Sequence, residues 1–118
     1  MTIDLKRVYD PPANSDGRRI LVDRIWPRGI TKADLQIDAW LKDLAPSTEL
    51  RKWFGHDPAK WDEFRKRYAG ELEQRSEALE ELVEKARAGR VTLVFSAKDT
   101  EHNNAVALKE HLERRLSS

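Results

Sequence analysis

The sequence predicts a small α/β fold, a mostly parallel sheet with flanking helices, and three observations carry that prediction. Val91-Thr92-Leu93-Val94-Phe95 is apolar on both faces, as a strand in the middle of a parallel sheet must be. Helical spacing precedes it in Leu79, Leu82, Val83 and Ala86, and follows it in Ala105, Leu108, Leu112 and Leu116. Helix, strand and helix in succession suit parallel strands joined by helical crossovers, in the manner of doubly wound sheets. A chain of 118 residues suffices for one core and is too short for two, so residues 1–118 are expected to form a single domain.

Ile3, Leu5 and Arg7-Val8-Tyr9 alternate as a short first strand, closed by the turn-forming run from Asp10 to Gly17. Arg19-Ile20-Leu21-Val22-Asp23 reads as a buried second strand whose end delivers Asp23 and Arg24. Trp26-Pro27-Arg28-Gly29 excludes regular helix, because Pro27 biases Trp26 away from helical angles and Gly29 invites a turn. Thr31 then caps a helical turn over Lys32 to Leu35, with Asp34 three residues on. From Gln36 to Leu44 two patterns compete: Ile37, Trp40, Leu41 and Leu44 have helical spacing, and the stretch before Pro46 equally suits extended chain.

Ser47 opens a helix through Trp53 and Phe54 that Gly55 closes, and Asp57 with Pro58 restarts it as N-cap and first helical residue. Trp61, Phe64, Tyr68 and Leu72 continue the helical spacing, and Ser76 re-caps a second segment, so two helices or one kinked helix fill this region. Gly89 ends it, and Asn103 or Asn104 caps the last helix. The aromatic set Trp53, Phe54, Trp61, Phe64 and Tyr68 is expected in the core, and some of the four tryptophans are expected to line a pocket or an interface.

Composition narrows the function. The 22 Lys and Arg nearly cancel the 21 Asp and Glu, so no overall field recruits nucleic acid or anionic lipid, and an anion site has to be local. The absence of cysteine removes disulfides, thiolate zinc sites and thiol nucleophiles. The start Met1-Thr2-Ile3-Asp4-Leu5-Lys6 lacks a basic region followed by an apolar stretch, and no apolar run spans a bilayer, which together predict a cytoplasmic protein with no membrane association. No phosphate-binding glycine loop, dinucleotide fingerprint, zinc-protease helix or nucleophile elbow is present.

In open parallel sheets ligands bind beyond the carboxyl ends of the strands, which selects Asp23 to Gly29 and Ser96 to Asn104. Arg24, Trp26 and Arg28 from the first segment, with Ser96 and Lys98 from the second, are the candidate ligand contacts. Asp23 and Asp99 are the candidate catalytic residues, as acid/base groups or as ligands to Mg²⁺. Each has a plainer alternative. Asp23 and Arg24 make an ion pair at a strand end, Arg28 braces Trp26 or Trp40, and Asp99 or Thr100 caps while Lys98 stays solvated. His56 fits a helix junction, and Asp99 with His102 is too small a set to hold a metal by itself.

The chain also resembles a known family, the YeaO-like branch of the domain of unknown function 488 (DUF488). The resemblance rests on Arg7-Val8-Tyr9-Asp10, on Gly17-Arg18-Arg19-Ile20-Leu21-Val22-Asp23-Arg24-Ile25-Trp26-Pro27-Arg28-Gly29 and on Leu44-Ala45-Pro46-Ser47. Leu50-Arg51-Lys52-Trp53-Phe54, His56-Asp57 and Val91 through Asp99 extend it over almost the whole chain, and the Trp-Pro-Arg-Gly core is its most specific part. It implies an α/β fold and a bacterial cytoplasmic protein, with no assigned reaction. More distant members carry a cysteine motif after the last strand where this chain has Ser96 and Asp99, so a thiol mechanism does not transfer.

Two functions compete on this reading, with a structural role behind them. The first is binding of a phosphate-bearing small molecule or nucleic-acid end between the two loops, with metal-dependent phosphoester hydrolase or nuclease-like chemistry. The second is a non-catalytic module that senses an anion or engages a protein partner. In the third, Trp26, Arg28 and Trp40 form a structural cluster or a homodimer contact.

Overall fold

Strand β4, Val91–Phe95, is the centre of a computed structural model that describes residues 3–117, and all five of its residues are buried. It lies between β1 (Ile3–Arg7) and β2 (Arg18–Leu21), and β3 (Ala39–Trp40) pairs with the far edge of β2. The order is β1-β4-β2-β3 and every pair is parallel, with Leu93 opposite both Leu5 and Ile20. The α/β class and the mostly parallel sheet read from the sequence are therefore what the chain adopts.

Alternation along these strands builds two apolar layers. Ile20 and Val22, with Val91, Leu93 and Phe95, face the larger layer, where Phe64, Tyr68, Leu79, Leu82, Leu108 and Leu112 close over them. Leu21 and Val94 face the smaller one, with Val8, Leu35, Trp26, Ile30, Ile37 and Trp40. Full burial of an aliphatic side chain is worth about 1.5–3 kcal/mol, so this central strand is the main anchor of the fold.

Helices α2 (Thr48–Phe54), α3 (Trp61–Glu73), α4 (Ser76–Ala88) and α5 (Asn104–Ser117) supply the larger layer. The other face receives only the one-turn α1 (Lys32–Leu35) and the loop carrying Trp26. The doubly wound pattern is thus lopsided, and the Trp26-Pro27-Arg28-Gly29 loop does on one face what a second pair of helices would otherwise do.

Several local signals act as the sequence suggests. Thr31 Oγ1 accepts from the Asp34 amide, Ser47 Oγ from Leu50 and Asp57 Oδ1 from Ala59. Gly55 closes α2 in the left-handed region at φ 53°. Others differ. Between 36 and 44 the chain is extended at Ala39–Trp40 and then makes a short 3₁₀ turn, because the open edge of β2 recruits it: the Asp38 amide donates to Arg19 O at 2.8 Å and the Leu41 amide to Leu21 O at 2.9 Å. Ser76 is the first residue of α4 and not its cap, since the flanking Arg75 makes no side-chain capping bond. Two helices, α3 and α4, fill the region rather than one.

A buried polar cluster ties β1 to the amino end of β2. Asp16 accepts from Arg19 Nη1 at 2.6 Å and Lys6 Nζ at 3.0 Å, and Arg19 also donates to the carbonyls of Leu35 and Gln36. Burial alone would raise the Asp16 carboxyl, but hydrogen bonds from the Ala13 amide, Lys6 and Arg19 outweigh it and hold the group below its ordinary value. Gly17 leads from this cluster into β2 at φ 66°, and a Cβ there would stand 2.3 Å from Arg90 O. Gly17→Ala should therefore destabilise the protein by about 2 kcal/mol or more, visible as a lower thermal midpoint; an unchanged midpoint would contradict this packing.

Candidate functional site

Parallel strands deliver the segments after β2 and β4 to the same edge, and there they wall a cavity of about 930 Å³. All seven residues singled out from the sequence line it: Asp23, Arg24, Trp26, Arg28, Ser96, Lys98 and Asp99. Arg51, Lys52, Phe54 and His56 from α2 and the turn after it complete the wall, with Tyr9 from the loop after β1.

Asp23 joins the two loops. Its Oδ2 accepts from the Ser96 amide at 2.9 Å and from Ser96 Oγ at 2.8 Å, and its Oδ1 accepts from Asn104 Nδ2 at 3.2 Å. Asn104 Nδ2 also donates to Val22 O at 3.0 Å, and Trp40 Nε1 donates to Asp23 O at 2.7 Å. One side chain thereby fixes the end of β2 to the end of β4 and to the first residue of α5. Asp23 makes no ion pair with Arg24, whose Nε donates to Pro46 O at 3.3 Å and so links this loop to the start of α2.

Asp99 organises its own loop. Oδ1 accepts from the amides of Glu101 and His102, and Oδ2 lies 3.0 Å from His102 Nδ1. The His102 ring stands edge-on to Trp61, and Asn103 caps α5 through Oδ1 and the Val106 amide. The bonds from Glu101 and His102 hold the Asp99 carboxyl below its ordinary value of 3.8, so it stays ionised at neutral pH. Among the described residues, no three His, Asp or Glu side chains gather closely enough to hold a metal ion.

The cations are placed differently. Trp26 packs against Trp40 with centroids 5.5 Å apart at 70° and donates to Ile30 O, and Lys42, not Arg28, covers the Trp40 ring. Arg28 is exposed on the left-handed turn that Gly29 closes at φ 78°, and its carbonyl accepts from the Tyr9 hydroxyl at 2.9 Å. Arg7 clamps the opposite loop through the carbonyls of Ser96 and Ala97. The side chains of Arg28, Arg51, Lys52 and Lys98 make no hydrogen bond or ion pair with another described residue. Reasoning from sequence missed Arg51 and Lys52, because α2 was legible as a helix but nothing local says which of its faces meets the strand ends.

The family model described as "Inactive DUF488-N3 subclade" matches residues 2–118. The chain belongs to the DUF488 family. The uncharacterised protein YeaO of Escherichia coli (strain K12) is 48% identical over 112 residues, covering 95% of this chain and 97% of that protein. The uncharacterised protein Rv3073c of Mycobacterium tuberculosis (strain ATCC 25618 / H37Rv) is 42% identical over 113 residues, 96% of this chain and 95% of that one. No solved structure matches. Nor is any helix among the described residues long and apolar enough to cross a membrane.

For this DUF488 chain, the hydrogen bonds around Asp23 predict that Asp23→Asn lowers stability. The amide NH₂ would face donors at Ser96 or Asn104, costing about 2 kcal/mol and about 6–10 °C of melting temperature. A carboxylate held only for chemistry would leave the midpoint unchanged or raise it. Asp99 sets a pH dependence: because its folded pKa is depressed, its contribution is complete above the ordinary value of 3.8 and is lost as pH falls through the lower folded one. The Glu101 amide should lose its hydrogen-bonded chemical shift only in that acidic range; loss of that shift near neutrality would contradict the assignment.

Proposed function

We propose that this chain is a non-catalytic binding module for a phosphate-bearing ligand, which it holds between the loops after β2 and β4. The observation that carries the reading is the contrast between the acids and the bases of one cavity. Both carboxylates in its lining, Asp23 and Asp99, already accept hydrogen bonds that position the loops, whereas Arg28 and Lys98 reach it without protein partners. A general base or metal ligand has to present lone pairs to the reacting centre; these two direct theirs to backbone amides, Ser96, Asn104 and His102. Guanidinium and ammonium groups without counter-charges are what an anion requires.

Ser96 belongs to the frame on this reading, since its hydroxyl donates to Asp23, and Trp26 seats the loop that carries Arg28. Arg24 contributes charge at the cavity wall and ties that wall to α2. The family description, an inactive subclade, agrees with binding without turnover. The match to bacterial relatives agrees with a bacterial protein.

The test is calorimetric titration of the native protein with inorganic phosphate and with a nucleoside monophosphate, beside an Arg28→Gln/Lys98→Gln double variant. Saturable binding that falls at least about tenfold in the variant is expected, with no hydrolysis of a phosphodiester in the presence of Mg²⁺. Equal binding by both proteins, or none by either, overturns the reading. Turnover that Asp99→Asn abolishes while affinity persists would establish the hydrolase alternative instead.

A further inference from the structure

We propose that the cavity takes a ligand with two anionic groups on one carbon skeleton, the second group held by Arg51 and Lys52 of α2. This rests on the reading of the cavity as a phosphate site and adds a second anion position to it. The pointer is Arg51. It lines the cavity, and its side chain makes no hydrogen bond or ion pair with another described residue, although a charged guanidinium is among the most costly groups to leave unpaired. Lys52 follows it on the same cavity wall, also without a carboxylate partner.

The nearby acids do not neutralise this pair. Glu71, which faces the start of α2, accepts from the Ser47 amide at 2.8 Å and from Ser47 Oγ at 2.6 Å. Those bonds, with Arg24 Nε on Pro46 O, fix α2 relative to the β2 loop, so Arg51 and Lys52 come to the cavity from α2, whereas Arg28 and Lys98 come to it from the loops after β2 and β4. The lining also includes Phe54 and Phe64, whose rings stack with centroids 4.3 Å apart. A cavity of about 930 Å³ lies at the upper end of the roughly 300–1,000 Å³ spanned by small-molecule sites. Cations contributed by a helix and by two loops, with aromatic surface in the same lining, suit a small molecule whose carbon body separates two phosphate or phosphonate groups.

Methylphosphonate and a series of bisphosphonates joined by one, three and six methylene groups make the test, titrated at constant ionic strength. The native protein should bind at least one bisphosphonate ten times or more tighter than methylphosphonate. Arg51→Gln/Lys52→Gln should remove that gain, so that the variant binds the bisphosphonates no tighter than it binds methylphosphonate. Methylphosphonate and all bisphosphonates binding alike to the native protein would overturn the inference while sparing the phosphate site; that comparison needs no variant to fold. A gain that survives in the variant would also overturn it, because general charge attraction would then account for it. No binding of any probe would overturn the phosphate reading as well.

Discussion

The carboxylate of Asp23 bridges the end of β2 and the end of β4, and the arrangement of the whole strand edge depends on that bridge. Parallel strands leave their carboxyl ends without hairpins to join them, so loops there need fixing by side chains. Asp23 does this with three accepted hydrogen bonds, to Ser96 twice and to Asn104 once. Charge-assisted bonds of this kind are stronger than neutral ones, and partial burial keeps water from competing for them. The same residue's carbonyl receives Trp40, which carries the constraint on to the edge strand β3.

From that frame the cavity acquires its sign. Arg7 holds the β4 loop by its carbonyls, Asp99 folds the rest of that loop around its own carboxylate, and Tyr9 fixes Arg28 by its backbone. Each of these contacts uses an acid or a carbonyl for support and leaves Arg28, Arg51, Lys52 and Lys98 in the lining without a hydrogen-bond or ion-pair partner among the described residues. The chain is nearly neutral as a whole, with 22 basic against 21 acidic residues, yet its cavity lining holds five Lys and Arg against two Asp. Local segregation of charge, rather than overall charge, makes an anion site here.

Much of this was legible in the sequence. Val91–Phe95 declared itself central because no polar residue but Thr92 interrupts it, and Thr92 proves buried with its hydroxyl on Asp16 O. The rule that ligands sit beyond parallel strand ends brought Asp23 to Gly29 and Ser96 to Asn104 together, and one cavity receives both. What local pattern did not reveal was partnership at long range. A carboxylate at a strand end reads alike whether it meets a reacting atom or a serine 73 residues away, as Asp23 meets Ser96. Arg51 and Lys52 were hidden for a related reason: their helix was evident from Ser47 and Gly55, but its orientation is set by Glu71 and Arg24, which lie far off in the chain.

The division between a frame of acids and a working face of cations is tested most directly by a crystal structure of the native protein grown without phosphate or sulfate and then soaked in inorganic phosphate. An anion in contact with Arg28 and Lys98, with the Asp23 bonds to Ser96 and Asn104 unchanged, is the predicted result. An empty cavity at saturating phosphate, or an Asp23 carboxylate swung away from Ser96 toward a bound metal ion, would contradict it.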